Sequence, residues 1–163
     1  MANYQDGQYR VMARYSNWAV HKIHTDGTIC TTSASDRVCE LRDRYDALEI
    51  SYILNGWGFP KFTIPEDSSD STLAFKARRV IDCHPFKRDA YYLSENAKHN
   101  LEIFAKANVE RFKYVVSLIA NPCIRRDLKQ LWLLNHDCYT GKIDKDVFDN
   151  DSVKLIRSIQ SAS

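Results

Sequence analysis

Only five glycines and four prolines punctuate the 163 residues, roughly half the average usage of the two types together. Glycine gives the backbone its left-handed turns and its close approach to ligands, and proline fixes bends. A chain this poor in both has few positions for an irregular loop. The glycines are Gly7, Gly27, Gly56, Gly58 and Gly141, and no three have the spacing of a dinucleotide fingerprint. Gly141-Lys142 is followed by Ile143 and lacks the upstream glycine of a phosphate loop. A nucleotide cradled by glycine-rich backbone is not expected. The side-chain surface of a closely packed scaffold must carry the function.

The chain is 44% hydrophobic, enough to bury a core. No apolar run approaches the roughly 18 residues of a membrane span, and Met1-Ala2-Asn3-Tyr4-Gln5-Asp6 has no basic-then-apolar signal pattern. Five cysteines, Cys30, Cys39, Cys83, Cys123 and Cys138, form no C-x-x-C pair, which removes zinc-ribbon and redox motifs. An odd number at wide spacing reads as reduced, mostly buried thiols in a cytoplasmic protein.

Charge is uneven although the net is only +2. Residues 1–62 carry seven Lys/Arg against seven Asp/Glu, whereas 76–129 carry twelve against six. A basic middle suits a phosphate-contacting surface and equally a set of solvated helix faces.

Residues 9–15 and 18–24 read as strands separated by Ser16-Asn17. Thr25-Asp26-Gly27-Thr28 carries the Asp-Gly of a hairpin, and 29–32 continues as a third strand. Ser33, Ser35 and Asp36 offer cap oxygens to a helix whose apolar stripe is Val38, Leu41, Tyr45, Leu48 and Tyr52, closed by Asn55-Gly56. The polar stretch 63–72 is linker-like, with net charge −3. Beyond it the pattern is helical. Leu73, Ala77, Val80 and Ile81 mark a helix that stops before Pro85. Ser94 caps a long one bearing Phe104, Phe112 and Val116, and Asn121-Pro122 starts another with Ile124, Leu128 and Leu131 inside. A last helix is expected from about Ser152. The resulting expectation is an α+β protein: a three-stranded antiparallel sheet with one helix (1–62), a linker (63–72) and a helical C-terminal bundle (73–163).

Within the first of these, Tyr9-Arg10-Val11, Trp18-Ala19-Val20, Tyr45-Asp46-Ala47, Gly56 and Phe62 follow a pattern of Tyr-Arg, strand-opening Trp, helical Tyr-Asp and closing Gly and Phe. Residues 9–62 thereby resemble the AP2-type DNA-binding domain of plant regulators and phage endonucleases. The resemblance implies a sheet lying in the major groove, with Arg10, Arg14 and Trp18 as contacts. Lys22 and His24 share the Trp18 face by period-two alternation. A sheet backed by a helix arises without DNA as well.

The second candidate is the basic middle: Lys76, Arg78 and Arg79 on one helix, Lys87 and Arg88 after His84-Pro85, and Arg125, Arg126 and Lys129 opening a later helix. Such residues near helix starts can bind phosphate, and Phe86, Tyr91 and Tyr92 can stack on bases or cover the core. Trp57, Phe59 and Phe62 either plug the gap between the sheet unit and the helical unit or form an interface hot spot.

Catalytic and metal patterns are weak. His136-Asp137-Cys138 brings three ligand types together without the rest of a zinc tetrahedron. The stretch 136–147 imitates a calcium loop in its Gly141 and Ile143 but offers His136, Cys138, Thr140 and Val147 where oxygen ligands are needed. No G-x-S-x-G occurs. Asp144, Asp146, Asp149 and Asp151 lie in an acidic tail and read as solubilising charge and helix capping. No catalytic residue, metal or cofactor is assigned. The expectation is a non-enzymatic regulatory protein that binds nucleic acid. The alternative is an inhibitor or adaptor of mobile-element type acting on a protein surface, and a metal-dependent hydrolase stands further back.

Overall fold

The computed structural model describes residues 8–24, 36–86 and 94–163. It is an α+β fold. Strands β1 (Tyr9–Arg14), β2 (Asn17–Lys22) and β3 (Arg37–Leu41) form one antiparallel sheet in the order β1-β2-β3. Helices α1 (Arg44–Leu54), α2 (Asp70–Cys83), α3 (Glu95–Ser117), α4 (Pro122–Tyr139) and α5 (Lys145–Ala162) follow, with a 3-10 turn at Lys61–Thr63. No helix among the described residues is long and apolar enough to cross a membrane. Cys39, Cys83, Cys123 and Cys138 are free thiols. The Asp-Gly hairpin, the strand expected at 29–32, the caps Ser33 and Ser35, and Lys87, Arg88, Tyr91 and Tyr92 lie outside the described residues.

Two compact units divide the chain. One comprises Met1–Pro65 with Asp89–Arg111, the other Glu66–Arg88 with Phe112–Ser163.

In the first unit α1 packs on all three strands. Ala19, Val20, Ile23, Val38, Cys39, Ala47, Ile50, Phe104 and Ala107 are buried there. The stripe that joins Val38 and Leu41 to Tyr45 is not one helix. Val38 and Leu41 belong to β3, because Cys39 and Leu41 have Val20 and Trp18 of β2 to pair with and the burial of Val38-Cys39 outweighs a local helical spacing. The helix starts at Asp43, whose Oδ1 accepts from the backbone N–H of Tyr45 (2.8 Å) and Asp46 (3.1 Å). Asp36 is therefore no cap, and its carboxylate meets His24 Nε2 at 2.7 Å. At the far end Gly56 takes φ +77°, and the N–H groups of Gly56 and Trp57 bond the carbonyls of Ile53 and Tyr52. This is a Schellman cap, completed by the edge-to-face contact of the Trp57 and Tyr52 rings, whose centroids are 5.1 Å apart. Phe62 meets Tyr52 at 5.8 Å. Trp57 and Phe62 remain 46% and 61% exposed.

The second unit buries Leu73, Ala77, Val80 and Ile81 of α2, Val115 and Val116 of α3, Ile124, Leu128 and Leu131 of α4, and Ile159 of α5. Asn121 caps α4 through Cys123 N–H at 2.8 Å, with Pro122 at the first position. Asp70, at the start of α2, accepts from the backbone N–H of Ala120 (2.9 Å) and Asn121 (3.0 Å) and so ties the two helix starts together. Replacing Asp70 with Ala removes two charge-assisted bonds and is expected to lower stability by about 1–2 kcal/mol in urea unfolding.

The last helix starts at Lys145, about two turns before Ser152, with Asp144 at its N-cap position, though without a side-chain cap bond, and Asp146, Asp149 and Asp151 within the helix. No Gly or Pro interrupts 145–162 to stop the helix extending toward Asp144. Ser152 instead bonds the Asp149 carbonyl within the helix at 3.1 Å. Ser158 donates to buried Asp127 of α4 at 2.7 Å and joins the two helices.

Candidate functional site

Tyr15 and Ser16 close the β1–β2 hairpin, across which Arg14 pairs with Asn17. Opposed residues of an antiparallel pair share a face. Arg10 opposes His21, Met12 opposes Ala19 and Arg14 opposes Asn17. Glu40 joins that face opposite Ala19, and Arg37 joins it opposite His21. Trp18 and Lys22 oppose Ala13 and Tyr9 on the other face. The contacts that the AP2 resemblance implies are thus split, with Arg10 and Arg14 on one side and Trp18 and Lys22 on the other. Trp18 lies under the Arg44 guanidinium, 5.4 Å from the ring centroid. His24 lies past the end of β2 and is taken up with Asp36.

Glu40 organises the arginine-bearing face. Its Oε1 is 3.5 Å from Arg14 Nη1 and 3.9 Å from Arg37 Nε, and its Oε2 accepts from Asn17 at 2.7 Å. Arg14 and Arg37 share this one carboxylate. His21, in its centre, is buried. Burial first, then the charges of Arg37 and Arg14, hold its pKa below the ordinary imidazole range, with Asp36 and Glu40 pulling the other way.

The hairpin tip carries a signal that the sequence reading missed. Tyr15 has φ +54°, the only positive φ outside glycine among the described residues. It is 92% exposed, and the Arg14 guanidinium lies 4.9 Å from its ring centroid. Two-residue hairpin loops favour glycine at a first position of positive φ, and a bulky aromatic there is an outlier. The two-residue loop between Arg14 and Asn17 is the clue that could have found it.

In the helical unit the basic candidates have separate uses. Lys76 is buried at 8% exposure. Arg78 faces Asp82, whose carboxyl burial pushes up while Arg78 draws it down. Arg79 lies 5.9 Å over the ring of exposed Phe75. Arg125 Nη1 donates to the carbonyls of Ile119 (2.5 Å) and Ala120 (3.0 Å), closing the end of α3. Arg126 is 3.6 Å from Asp127 and largely exposed, as is Lys129. Only the last two stand out as open cations of this set.

Among the described residues no group of three or more His, Cys, Asp and Glu is placed to hold a metal ion. His136 and Asp137 lie in the last turn of α4, which Gly141 ends at φ +82° in a Schellman cap through Cys138 and Asp137 carbonyls. The calcium-loop likeness is this helix cap.

Arg111 and Glu49, which sequence reasoning passed over, are the most enclosed charged residues among those described. Arg111 on α3 has no exposure, and its Nη1 is 3.0 Å from Asp46 Oδ1 and 3.2 Å from Glu49 Oε1. Its Nε donates to Asn108 at 3.1 Å. Asp46 and Glu49, three apart on α1, share a helix face with buried Ala47 and Ile50, so carboxylates on an apolar stripe were the available signal.

His84, at the end of α2, sits against Trp132 (4.3 Å between ring centroids) and Phe86 (4.6 Å). Burial there pushes its pKa down from 6.5 to about 4. The unfolded imidazole takes its proton at a higher pH than the folded one. The unfolded chain therefore binds more protons between those two values, and stability falls as pH drops through that window. Allowing for partial solvent access, the expected loss is about 2 kcal/mol. It should be read from Trp132 emission in a variant lacking Trp18 and Trp57, and His84→Gln should flatten the profile.

Comparison with protein-family models, with curated proteins and with solved structures finds no match to the chain.

Proposed function

We propose that this chain binds nucleic acid without catalysing a reaction on it, through the arginine-bearing face of its sheet and the tip of its hairpin. The observation that carries the reading is Tyr15, an aromatic ring held in left-handed backbone, almost wholly exposed and adjoining a guanidinium. Strained residues persist where another requirement selects them, and functional sites are where they concentrate. An exposed ring offers a base a stacking partner, and the neighbouring arginine offers a phosphate a charge. Arg10, Arg14 and Arg37 on one face extend the positive surface along the strands. The AP2-type pattern of residues 9–62 supports the same use of the sheet, although Trp18 and Lys22 face away from it. In the helical unit, Arg126 and Lys129 add to the attraction of a polyanion.

Fluorescence anisotropy with labelled duplex and single-stranded probes across a salt series tests this. Affinity should fall linearly with salt on a double-logarithmic plot. Replacing both Arg10 and Arg14 with Gln should flatten the slope by about 1.4 for the single-stranded probe and about 1.8 for the duplex, since each lost phosphate contact removes about 0.7 or 0.9. If neither probe is bound at low salt the reading fails, and the inhibitor or adaptor alternative, with an acidic protein surface as partner, takes its place.

A further inference from the structure

The β2–β3 ladder breaks between Val20 and His21. Val20 opposes Cys39, so an unbroken register would set Val38 opposite His21 and Arg37 opposite Lys22 on the other face. Instead His21 opposes Arg37. Such a bulge turns a side chain from one face of a sheet to the other. Here it completes a row across the three strands, Arg10–His21–Arg37, with two guanidiniums flanking an imidazole.

The row holds unused hydrogen-bonding capacity. His21 is 1% exposed, and its Nδ1 has no hydrogen-bond partner among the described residues. Arg37 Nη1 is also buried without one, although 19% of the side chain reaches solvent. Gln8 Oε1, two residues before Arg10, is a third such atom. Buried polar groups in folded proteins are nearly always bonded, and three orphans around one sheet position point to a guest. Guanidinium and imidazole N–H groups together fit an oxyanion, whose several acceptor oxygens can meet both. The nearby carboxylates are already engaged, Asp36 with His24 and Glu40 with Arg14, Asn17 and, through Nε at 3.9 Å, Arg37, whose Nη1 is left over.

We infer that Arg10, His21 and Arg37 form a binding subsite for a phosphate oxyanion. Arg37 gives Nη1–H and His21 gives Nδ1–H to phosphate oxygens, and Gln8 Oε1 accepts from the hydroxyl of a free hydrogen phosphate, which a backbone diester lacks. The phosphate is either a free phosphate group or one in a nucleic-acid backbone. The second source rests on the nucleic-acid reading, and the subsite itself does not.

The test is NMR of the His21 ring nitrogens in the intact protein, titrated with inorganic phosphate against sodium chloride at matched ionic strength. A single-stranded oligonucleotide forms a second arm. Phosphate should shift the His21 signals saturably and raise the pH at which the ring titrates. Arg37→Gln should weaken the effect at least tenfold, and Arg37→Lys should restore part of it, with folding of each variant checked by its amide spectrum. An Arg37-dependent shift in both arms supports the subsite with nucleic acid as its source. A shift with inorganic phosphate alone supports the subsite and removes nucleic acid from it. Absence of an Arg37-dependent shift with phosphate means the orphan atoms hold water only and overturns the inference, whether or not the oligonucleotide binds elsewhere.

Discussion

Replacing Arg111 with Met is expected to destabilise the sheet-bearing unit by about 3–5 kcal/mol, the largest single effect in the chain. The size follows from what remains after the change. Asp46 and Glu49 lie in the same enclosed space, and Arg111 meets both through one Nη1 while Nε holds Asn108. Removing the cation leaves two carboxylates close together in a low-dielectric interior without the guanidinium that both now meet. Such groups must stay charged at a desolvation cost or take up protons, and either route weakens the fold. Arg111→Lys should recover only part of the loss, since one ammonium cannot reproduce the planar fork. Replacing all three charges together with Leu or Met should restore most of the stability, because a well-packed apolar cluster often equals a buried ion pair. Urea unfolding followed by far-ultraviolet circular dichroism measures all three variants. A loss below about 1 kcal/mol for Arg111→Met would mean that the pair contributes little beyond packing.

Tyr15→Gly is expected to move stability and binding in opposite directions. Left-handed backbone costs an L-residue about 1–2 kcal/mol, and glycine avoids it. Part of that gain is offset by glycine's freedom in the unfolded chain and by loss of the Arg14 contact, which leaves a net stabilisation of about 1 kcal/mol. Base-on-aromatic stacking contributes about 1–3 kcal/mol per base, so the same change should weaken a single-stranded probe by roughly five- to 150-fold. Few substitutions separate the two quantities so cleanly, because Tyr15 touches little of the core that a fold defect could be blamed on. Tyr15→Asn, which tolerates left-handed backbone better than tyrosine and lacks a ring, should behave like glycine in binding and lie between the two in stability.

The starts of α3 and α4 and the end of α4 were legible because each rests on a local device: Ser94 at 3.2 Å from Ala97 N–H, Asn121 on Cys123, and the left-handed Gly141. The same holds for Gly56 in the first half. What stayed hidden depends on partners far along the chain. Val38 and Leu41 suit a helix by spacing alone and become a strand only when β2 lies beside them. Arg111 announces nothing until α1 brings Asp46 and Glu49 against it, 65 and 62 residues away. The division of the candidate surface was closer to reach. A two-residue hairpin loop pairs even-numbered with odd-numbered residues, so Arg10 and Arg14 cannot stand beside Trp18 and Lys22. Alternation within a strand says nothing of this until the neighbouring strand's register is fixed. The break that turns Arg37 toward His21 has no local marker at all, since neither glycine nor proline occurs between Arg37 and Leu41.

The proposed use of the sheet is tested most directly by the affinity of Tyr15→Gly for a single-stranded oligonucleotide at fixed low salt, measured beside wild type on protein whose unfolding midpoint has been determined. The prediction is a midpoint at or above that of wild type together with at least fivefold weaker binding. Wild-type affinity in a variant of equal or greater stability would contradict it, and would show that the strained ring at the hairpin tip is not kept for nucleic acid.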